Sequence, residues 1–218
     1  MSKIRKDYFM SPEHPIFQRE DMFHFNTDTK LLAGFLKIKK NETVLDIGTN
    51  NGALLLACDQ YPVKQLIGVE VLKEACEVAQ MNVDHFITHP CQIINAPIQD
   101  VQVELVDVII SNPPYFSQKE TNPNIQMDFR QLGRLEINLT LEELIFHTAR
   151  LLKSNGRFYM VHRPNRIQEI IHICTKNNMG IKRIQVVYDH RDNEAKSLLI
   201  EAIKERNCQC KILSPLYI

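Results

Sequence analysis

The sequence predicts an α/β fold: a doubly wound, seven-stranded, mostly parallel sheet with an antiparallel pair of strands at one edge. Short apolar runs alternate with segments whose apolar residues recur at helical spacing, which is typical of a parallel sheet with helices on both faces. Too few residues separate the last two apolar runs to form a crossover helix, so we expect them to pair antiparallel. The chain has 218 residues, 44% of them hydrophobic, which suffices for the core of one such domain.

Residues 1–25 are polar, contain Pro12 and Pro15, and show no regular period. We interpret them as an irregular N-terminal segment that precedes a single domain at residues 26–218. The first helix is predicted to start at Thr27-Asp28, because these polar residues come directly before apolar residues at helical spacing.

Four strands are predicted next, with helices between the first three. Residues 43–48 and 65–70 are short apolar runs that end at a glycine and at an acid, respectively. Two helices are expected where apolar side chains fall on one face, at residues 52–60 and 72–83. Two further apolar runs of strand length follow, at residues 91–95 and 105–111.

The alternation continues in the second half of the chain. Residues 117–139 are polar and charged without a period, so no element is assigned to them. Periodic apolar residues predict helices at 141–153 and 167–178, with a strand at 156–161 between them. The antiparallel pair completes the sheet, at residues 181–188 and 197–204.

The composition limits the classes of function. The 26 basic and 26 acidic residues cancel, so nucleic acid could be bound only through local basic patches. No apolar run of about 18 residues is present and no apolar segment follows the charged start, so we expect a cytoplasmic protein that neither spans a membrane nor carries a signal peptide. The six cysteines show no Cys-x-x-Cys spacing, so we expect reduced thiols and no metal site. Nothing in the sequence indicates an oligomer.

The loop from Asp46 to Gly52 follows the first of these strands and opens a helix, which is where open α/β sheets bind ligands. Gly48 and Gly52 permit a tight turn and close approach to a ligand, and Asn50 tolerates a left-handed backbone. The G-x-G-x-x-G pattern of dinucleotide sites is absent, and Asp46 would repel a phosphate but suits an amino group. The alternative is a purely structural glycine turn with helix-capping residues.

Glu70 ends the next strand, where a carboxylate can accept hydrogen bonds from both hydroxyls of a ribose. A ligand that combines a ribose with an amino acid and lacks phosphate is S-adenosylmethionine. We therefore predict that this cofactor binds to Asp46, Gly48, Asn50, Gly52 and Glu70.

An abrupt strand end, Ser111-Asn112-Pro113-Pro114-Tyr115, follows the apolar run at 105–111. Consecutive prolines cannot donate ladder hydrogen bonds, so the strand stops and delivers this turn to the same edge of the sheet. The Asn112 side-chain oxygen and the Pro113 carbonyl can accept both N–H groups of a planar amine, which directs the nitrogen lone pair at a methyl donor. Tyr115 can stack on a base. The structural alternative is a proline-rich strand end with a capping asparagine.

These motifs resemble those of class I S-adenosylmethionine-dependent methyltransferases with an N-P-P-Y motif, and in particular the bacterial tRNA1(Val) adenine-37 N6-methyltransferase family. The resemblance covers nearly the whole chain and rests on Phe25 to Asp28, Asp46 to Gly52, Ser111 to Tyr115, and Val161 to Pro164. It implies methylation of N6 of the adenine beside the anticodon of one tRNA. It also implies that Asp28 helps to close the cofactor pocket, and we count Asn112 as a cofactor contact as well as a catalytic residue.

The chain departs from the family at two positions. Asn50 stands where the family commonly has a glycine, so the loop is expected to differ slightly in shape. Pro97 falls where many relatives have an aspartate that meets the cofactor's adenine, which leaves backbone groups of Ala96 or Ile98 as candidates.

Four arginines are candidate RNA-binding residues, and tRNA is the expected partner. Arg130 and Arg134 follow the N-P-P-Y turn, where the family has a basic segment, and Arg163 and Arg166 lie just after the 156–161 strand. Guanidinium groups there could bind phosphates. An ordinary solvated surface is the alternative.

Three other functions stay open. The same motif can methylate a glutamine side-chain amide, as in release-factor methyltransferases, but those carry a helical N-terminal domain for which the first 25 residues leave no room. DNA adenine methyltransferases usually add a large target-recognition domain. A non-catalytic RNA-binding protein of the same fold would have no need for Asp46, Glu70 and Asn112 together.

Overall fold

In the computed structural model, which describes residues 3–113, 139–190 and 194–218, a central sheet carries helices on both faces. The described strands are β1 (Ile4–Tyr8), β2 (Pro15–Arg19), β3 (Thr43–Ile47), β4 (Gln65–Glu70), β5 (Cys91–Asn95), β6 (Val106–Ser111), β7 (Leu152–His162), β8 (Met179–Tyr188), β9 (Ala195–Lys204), β10 (Lys211–Ile212) and β11 (Leu216–Tyr217). The described α-helices are α1 (Thr27–Phe35), α2 (Ala53–Cys58), α3 (Lys73–Phe86), α4 (Leu141–Leu151) and α5 (Ile167–Lys176).

The predicted sheet is confirmed, with two short additions. Strands β5, β4, β3, β6 and β7 lie side by side and run parallel, and β9 then pairs antiparallel with both β7 and β8. Strands β10 and β11, two residues each, pair with the outer side of β8 and bring the described sheet to nine strands. The seven longer strands are those that the apolar runs predict.

The prediction that residues 1–25 are irregular is wrong, because β1 and β2 form an antiparallel hairpin there. β1 reads Ile-Arg-Lys-Asp-Tyr and is almost entirely exposed, so it lacks the alternation that identifies a half-buried strand. The hairpin is anchored by Phe9 and Ile16, both buried, and Phe9 packs edge-on against Phe25 with ring centroids 5.1 Å apart. The division into an N-terminal segment and one domain stays a prediction.

Two apolar cores lie on opposite faces of the sheet. Neighbouring residues of one strand point to opposite faces, so Val44 packs with α1 and α2 whereas Leu45 packs with α4 and α5. This arrangement is the doubly wound architecture that the sequence predicts.

The parallel strands place their carboxyl ends at one edge of the sheet. After β3 the chain moves outward to β4 and β5 and then returns to β6 on the other side of β3. This reversal creates a crevice beside the end of β3, where open α/β sheets bind ligands. No described helix is long and apolar enough to cross a membrane.

Candidate functional site

A cavity opens at this edge of the sheet, beyond the carboxyl ends of β3, β4 and β6. Its other walls are the segment between the N-terminal hairpin and α1 and the residues that follow β5. The cavity contains the predicted cofactor residues Asp46, Gly48, Asn50 and Glu70, and the predicted catalytic residues Asn112 and Pro113. Gly52 does not line it but closes the same loop just before α2.

The loop after β3 depends on left-handed backbone conformations. Gly48 has a φ of +72° and Gly52 a φ of +78°, which residues with a side chain rarely adopt. A Cβ atom at Gly48 would meet nothing within 4 Å, so conformation rather than space requires the glycine. The amides of Gly48 and Thr49 both donate to the Val69 carbonyl, at 2.9 and 3.0 Å, which holds the loop against the end of β4.

Asn50 adopts the left-handed region with a φ of 51°, the conformation that a family glycine would supply. Its side-chain Nδ2 donates to the Phe23 carbonyl at 2.8 Å, and its backbone amide donates to Glu70 Oε2 at 3.0 Å. The asparagine therefore ties the loop to the N-terminal wall of the cavity, which a glycine could not do.

Asp46 is a buried carboxylate without a hydrogen-bond partner in the part of the chain that the structure describes. It is 1% exposed, and neither of its oxygens has a hydrogen-bond partner among the described residues. The neighbouring Thr49 hydroxyl is also buried, and it too has no hydrogen-bond partner among the described residues. Burial raises the pKa of Asp46 to about 7; the Glu70 carboxylate adds to the rise and the nearby Thr49 hydroxyl opposes it. Such a group suits a ligand that supplies a charged amino group.

Glu70 is largely engaged by the backbone. Its Oε1 accepts from the amides of Val71 and Leu72, at 2.8 and 3.0 Å, and its Oε2 accepts from Asn50. Burial raises the pKa of Glu70, and these three hydrogen bonds oppose the rise. A carboxylate offers about four lone-pair positions, so one remains, on Oε2. That is one position fewer than two ribose hydroxyls would need.

An apolar rim follows Glu70. Val71 is 41% exposed although it is apolar, and it lines the cavity with Leu72, Ala96, Pro97 and Ile98. These side chains offer flat apolar surface to a planar ring. The Ala96 amide already donates to the Glu70 carbonyl at 3.1 Å, and the Ile98 carbonyl already accepts from Arg150 at 3.0 Å. The Ala96 carbonyl and the Ile98 amide stay the predicted contacts of the cofactor's adenine.

The end of β6 brings the predicted catalytic residues to the cavity. Ser111 donates its hydroxyl to the Ile47 carbonyl at 2.9 Å, which joins the ends of β6 and β3. Asn112 donates its side-chain Nδ2 to the Thr29 hydroxyl at 2.9 Å, and Pro113 lies beside it in the cavity wall. Pro114 and Tyr115 lie outside the described residues.

Asp28 lies close to the cavity without lining it. Its Oδ1 accepts from the Ser197 hydroxyl at 2.6 Å, and its Oδ2 is 3.6 Å from Arg163. The geometry makes Asp28 part of an ion pair between α1 and the end of β7. Its predicted role in closing the cofactor pocket stays a prediction.

The arginines predicted to bind RNA have partners within the protein. Arg163 donates to the Lys196 carbonyl at 2.8 Å in addition to its contact with Asp28. Arg166 forms a two-pronged pair with Glu169, at 2.8 and 2.6 Å. Arg130 and Arg134 lie outside the described residues. RNA binding by any of the four stays a prediction.

The sequence reasoning missed several residues of the site. Met22, Phe23 and Phe25 form a cavity wall, and Thr29 holds Asn112. The signal for Thr29 is the capping box that it forms with Asn26 at the start of α1, which is visible as polar residues three apart. Within the described ranges, no group of three or more histidine, cysteine, aspartate or glutamate side chains is placed to hold a metal ion.

The arrangement fits the cofactor that the sequence predicts. The Asp46 oxygens, which have no partner within the described ranges, suit an ammonium. The remaining Glu70 position suits a ribose hydroxyl, and the apolar rim suits an adenine. The Asn112 turn borders the same cavity, so an acceptor pair for a planar amine would lie beside the bound cofactor.

Comparison with known proteins agrees with this geometry. Residues 16–134, more than half of the chain, match the family model described as methyltransferase small domain. Two relatives named tRNA1(Val) (adenine(37)-N6)-methyltransferase come from Flavobacteriaceae bacterium strain 3519-10 and Parabacteroides distasonis. The first is 26% identical over 91% of this chain and 85% of the relative, and the second is 25% identical over 89% and 82%.

Solved structures share the fold. A tRNA m1G37 methyltransferase from M. jannaschii superimposes with a TM-score of 0.71 at 12% identity, over 94% of this chain and 58% of that one. A predicted O-methyltransferase from Agrobacterium tumefaciens superimposes with a TM-score of 0.67 at 19% identity, over 88% and 87%. At these identities the likeness shows the fold alone.

Proposed function

Because this chain belongs to the methyltransferase small domain family, we propose that it transfers a methyl group from S-adenosylmethionine to N6 of an adenine in tRNA, at position 37 of tRNA1(Val). The observation that carries the proposal is one cavity that is bordered by both the Asn112-Pro113 strand end and the Asp46 carboxylate, which no described residue contacts by a hydrogen bond. The names of the two relatives supply the tRNA and the position. A tRNA substrate also makes the cytoplasm the proposed place of action.

On the cofactor side, the residues of this chain bind and orient S-adenosylmethionine. Asp46 takes up the ammonium of the amino acid part, because it has no competing partner among the described residues. Glu70 Oε2 accepts from a ribose hydroxyl, and the rim from Val71 to Ile98 covers the adenine. When bound, S-adenosylmethionine supplies an electrophilic methyl group on a sulfonium.

On the substrate side, the chain compensates for the weak nucleophilicity of an aromatic amine, whose nitrogen lone pair is delocalised into the ring. The Asn112 Oδ1 and the Pro113 carbonyl accept the two N–H groups, which favours a pyramidal nitrogen with its lone pair directed at the methyl group. The surplus proton can leave after transfer, so a strong general base is unnecessary. Tyr115 stays the predicted stacking partner of the base.

The test is methyl transfer from labelled S-adenosylmethionine to unmodified tRNA, followed by mass spectrometry of the nucleosides. We expect N6-methyladenosine in tRNA1(Val), and none in the same transcript with guanine at position 37. Transfer to a glutamine amide of a protein, or cofactor binding without transfer to any RNA, would contradict the proposal.

The catalytic assignment is tested by Asn112→Ala. Loss of a preorganised acceptor should lower kcat by about 100-fold or more, while the affinity for S-adenosylhomocysteine stays within a few-fold of wild type. Asn207→Ala is the matched control, because Asn207 is exposed and follows β9 at the opposite edge of the sheet. Near-normal turnover in Asn112→Ala would refute the assigned role.

A further inference from the structure

The Thr29 hydroxyl joins the first helix to the proposed catalytic asparagine. Thr29 is 5% exposed, occupies the third position of α1 and borders the cavity. Its Oγ1 lies 2.9 Å from Asn112 Nδ2, 3.0 Å from Asn26 Oδ1 and 3.2 Å from the Asn26 amide nitrogen. One hydroxyl therefore contacts two asparagine side chains that are far apart in sequence.

The backbone N–H of Thr29 determines which group donates and which accepts in this chain of hydrogen bonds. The Thr29 backbone N–H can only donate, and it donates to Asn26 Oδ1 at 3.0 Å, so the oxygen of that amide must face Thr29. The single hydrogen of the Thr29 hydroxyl then goes to the same Oδ1, because the two oxygens would otherwise face each other as acceptors. With its hydrogen used, Oγ1 can only accept from Asn112.

This polarity determines which way the Asn112 amide faces. An accepting Oγ1 requires the Nδ2 end of the amide, so Oδ1 is the end that points away from Thr29, and the proposed function assigns it a substrate N–H. The terminal torsion of an asparagine is broad and roughly two-fold, so the rotamer preference alone does not distinguish the two orientations. The flipped amide would present N–H to the N–H of the substrate amine and could not accept from it.

We infer that Thr29 is a positioning residue for the methyl-transfer step, because its hydroxyl holds the Asn112 amide with Oδ1 as the acceptor. The inference rests on the proposed function for the reaction that it serves. Asn26 assists indirectly, since it takes the hydroxyl hydrogen that would otherwise be free to reverse the polarity.

The experiment compares Thr29→Val with Thr29→Ser. Valine has the shape of threonine but cannot accept a hydrogen bond, so the Asn112 amide loses the contact that holds its Nδ2 end, and kcat should fall about tenfold, with S-adenosylhomocysteine affinity and the KM for tRNA little changed. Serine keeps the hydroxyl and should restore kcat to within about twofold of wild type. Thr27→Val is the matched control, because Thr27 is exposed two residues earlier in the same helix.

Thr29 also supports the cap of α1, so the Thr29→Val variant could lose activity merely because the helix is less stable. The test therefore needs a measurement that a purely structural role of Thr29 would leave unchanged. In Asn112→Ala, the further change Thr29→Val should leave the residual kcat unaltered if Thr29 acts through Asn112. An equal loss of kcat in both backgrounds, or wild-type kcat in Thr29→Val, would overturn the inference.

A second readout does not depend on the substrate. The Asn112 side-chain NH2 signals, identified by their loss in Asn112→Ala, should exchange slowly with solvent in wild type and Thr29→Ser and rapidly in Thr29→Val. Unchanged exchange in Thr29→Val would overturn the inference whatever the substrate is. If exchange becomes rapid in Thr29→Val but the wild-type protein methylates no RNA, the proposed function is contradicted while the Thr29–Asn112 contact is established.

Discussion

Asp46 is a carboxylate whose ionisation falls near neutral pH. Burial raises its pKa to about 7, whereas an unfolded chain gives an aspartate a pKa near about 3.9. Between these values the folded protein keeps a proton that the unfolded chain has released, so the free energy of unfolding decreases as the pH rises from about 4 to about 7. Above about pH 7 the Asp46 carboxylate is charged in the folded protein as well, so the free energy of unfolding of the ligand-free protein is lowered by the whole penalty for burying this charge.

Replacement of Asp46 by asparagine should remove that cost. In ligand-free protein, Asp46→Asn should raise the melting temperature more at about pH 8 than at about pH 5, because one pKa unit corresponds to about 1.4 kcal/mol. The same variant should lose most of its affinity for S-adenosylhomocysteine, since the ammonium loses its counter-charge. Thermal unfolding at both pH values and calorimetric titration are the measurements.

Asp84→Asn is the control for this change, because Asp84 is exposed on α3 away from the cavity. An equal change in melting temperature at the two pH values would contradict the account of Asp46.

At the scale of elements, the loop after β3 is joined to the N-terminal wall by Asn50. The Asn50 side chain donates to the Phe23 carbonyl, and Phe23 lines the cavity. Asn82, fully buried on α3, reinforces this junction because it donates to the carbonyls of Phe17 in β2 and of Asn51 in the loop, at 2.9 and 2.8 Å. The hairpin is thus connected to the cofactor loop rather than appended to the fold.

Asn50→Gly isolates the contribution of one such contact. Glycine keeps the left-handed backbone and the amide that donates to Glu70 but loses the hydrogen bond to Phe23. The loop is then less ordered in the ligand-free protein, and ordering it on binding costs up to about 1 kcal/mol, the net worth of one hydrogen bond. The dissociation constant of S-adenosylhomocysteine should therefore rise by up to about fivefold in a calorimetric titration. Asn50→Asp should weaken binding further, because a carboxylate would face the Phe23 carbonyl and add a negative charge to the residue whose backbone amide contacts Glu70.

The matched control is Asn41→Gly, since Asn41 is also left-handed, with a φ of 63°, but precedes β3 at the opposite edge of the sheet. Unchanged affinity in Asn50→Gly, or an equal loss in Asn41→Gly, would show that the Phe23 contact does not support the cofactor site.

At the scale of the whole molecule, a buried ion pair attaches the antiparallel edge of the sheet to α1. Arg183 of β8 pairs with Glu201 of β9, and both side chains are buried. The same guanidinium donates to the Phe35 carbonyl at 3.1 Å and lies 4.2 Å from the centre of the Phe35 ring. Phe35 ends the helix that carries Thr29, so the contact connects the sheet edge to the helix that borders the cavity.

Arg183→Met should destabilise the protein as a whole, because it leaves the Glu201 carboxylate buried without its main partner. Breaking a buried pair costs about 3–5 kcal/mol, and we expect the lower end because Lys182 lies 3.6 Å from Glu201 and offsets part of the loss. The free energy of unfolding in urea is the measurement. The double variant Arg183→Met with Glu201→Leu should regain most of the loss, and a double variant less stable than the single one would contradict this reading.

Much of the fold and part of the site could be predicted from local sequence. Seven apolar runs predict the seven longer strands because burial on both faces of the sheet leaves short, nearly continuous apolar runs that are legible without tertiary contacts. Boundaries differ by a few residues: the helix predicted to end at 83 continues to Phe86, and the strand predicted at 156–161 spans Leu152–His162. Asp46, Glu70 and Asn112 meet at one cavity because each lies at or next to the carboxyl end of a parallel strand.

The rest could not be predicted, because it depends on contacts between distant parts of the chain. The first hairpin strand is polar and exposed, so nothing local marks it, and only its pairing with Pro15–Arg19 makes it a strand. Arg163 looks like a free cation in the sequence, yet it meets Asp28 across more than one hundred residues. Three of the lone-pair positions of Glu70 turn out to be used by backbone amides.

By itself, the sequence determined the alternation of strands and helices, the cofactor loop and the Asn112 turn, since periodicity, glycine and proline act on the backbone within a few residues. Only the tertiary structure decided that the segment after the N-terminal hairpin lines the cavity, that Asp46 lacks a partner among the described residues, and that the Thr29 hydroxyl accepts from Asn112. The physical reason is that burial and hydrogen-bond partners are set by packing. Thr29 and Asn112 are 83 residues apart in sequence, and the local pattern around either one carries no information about the other.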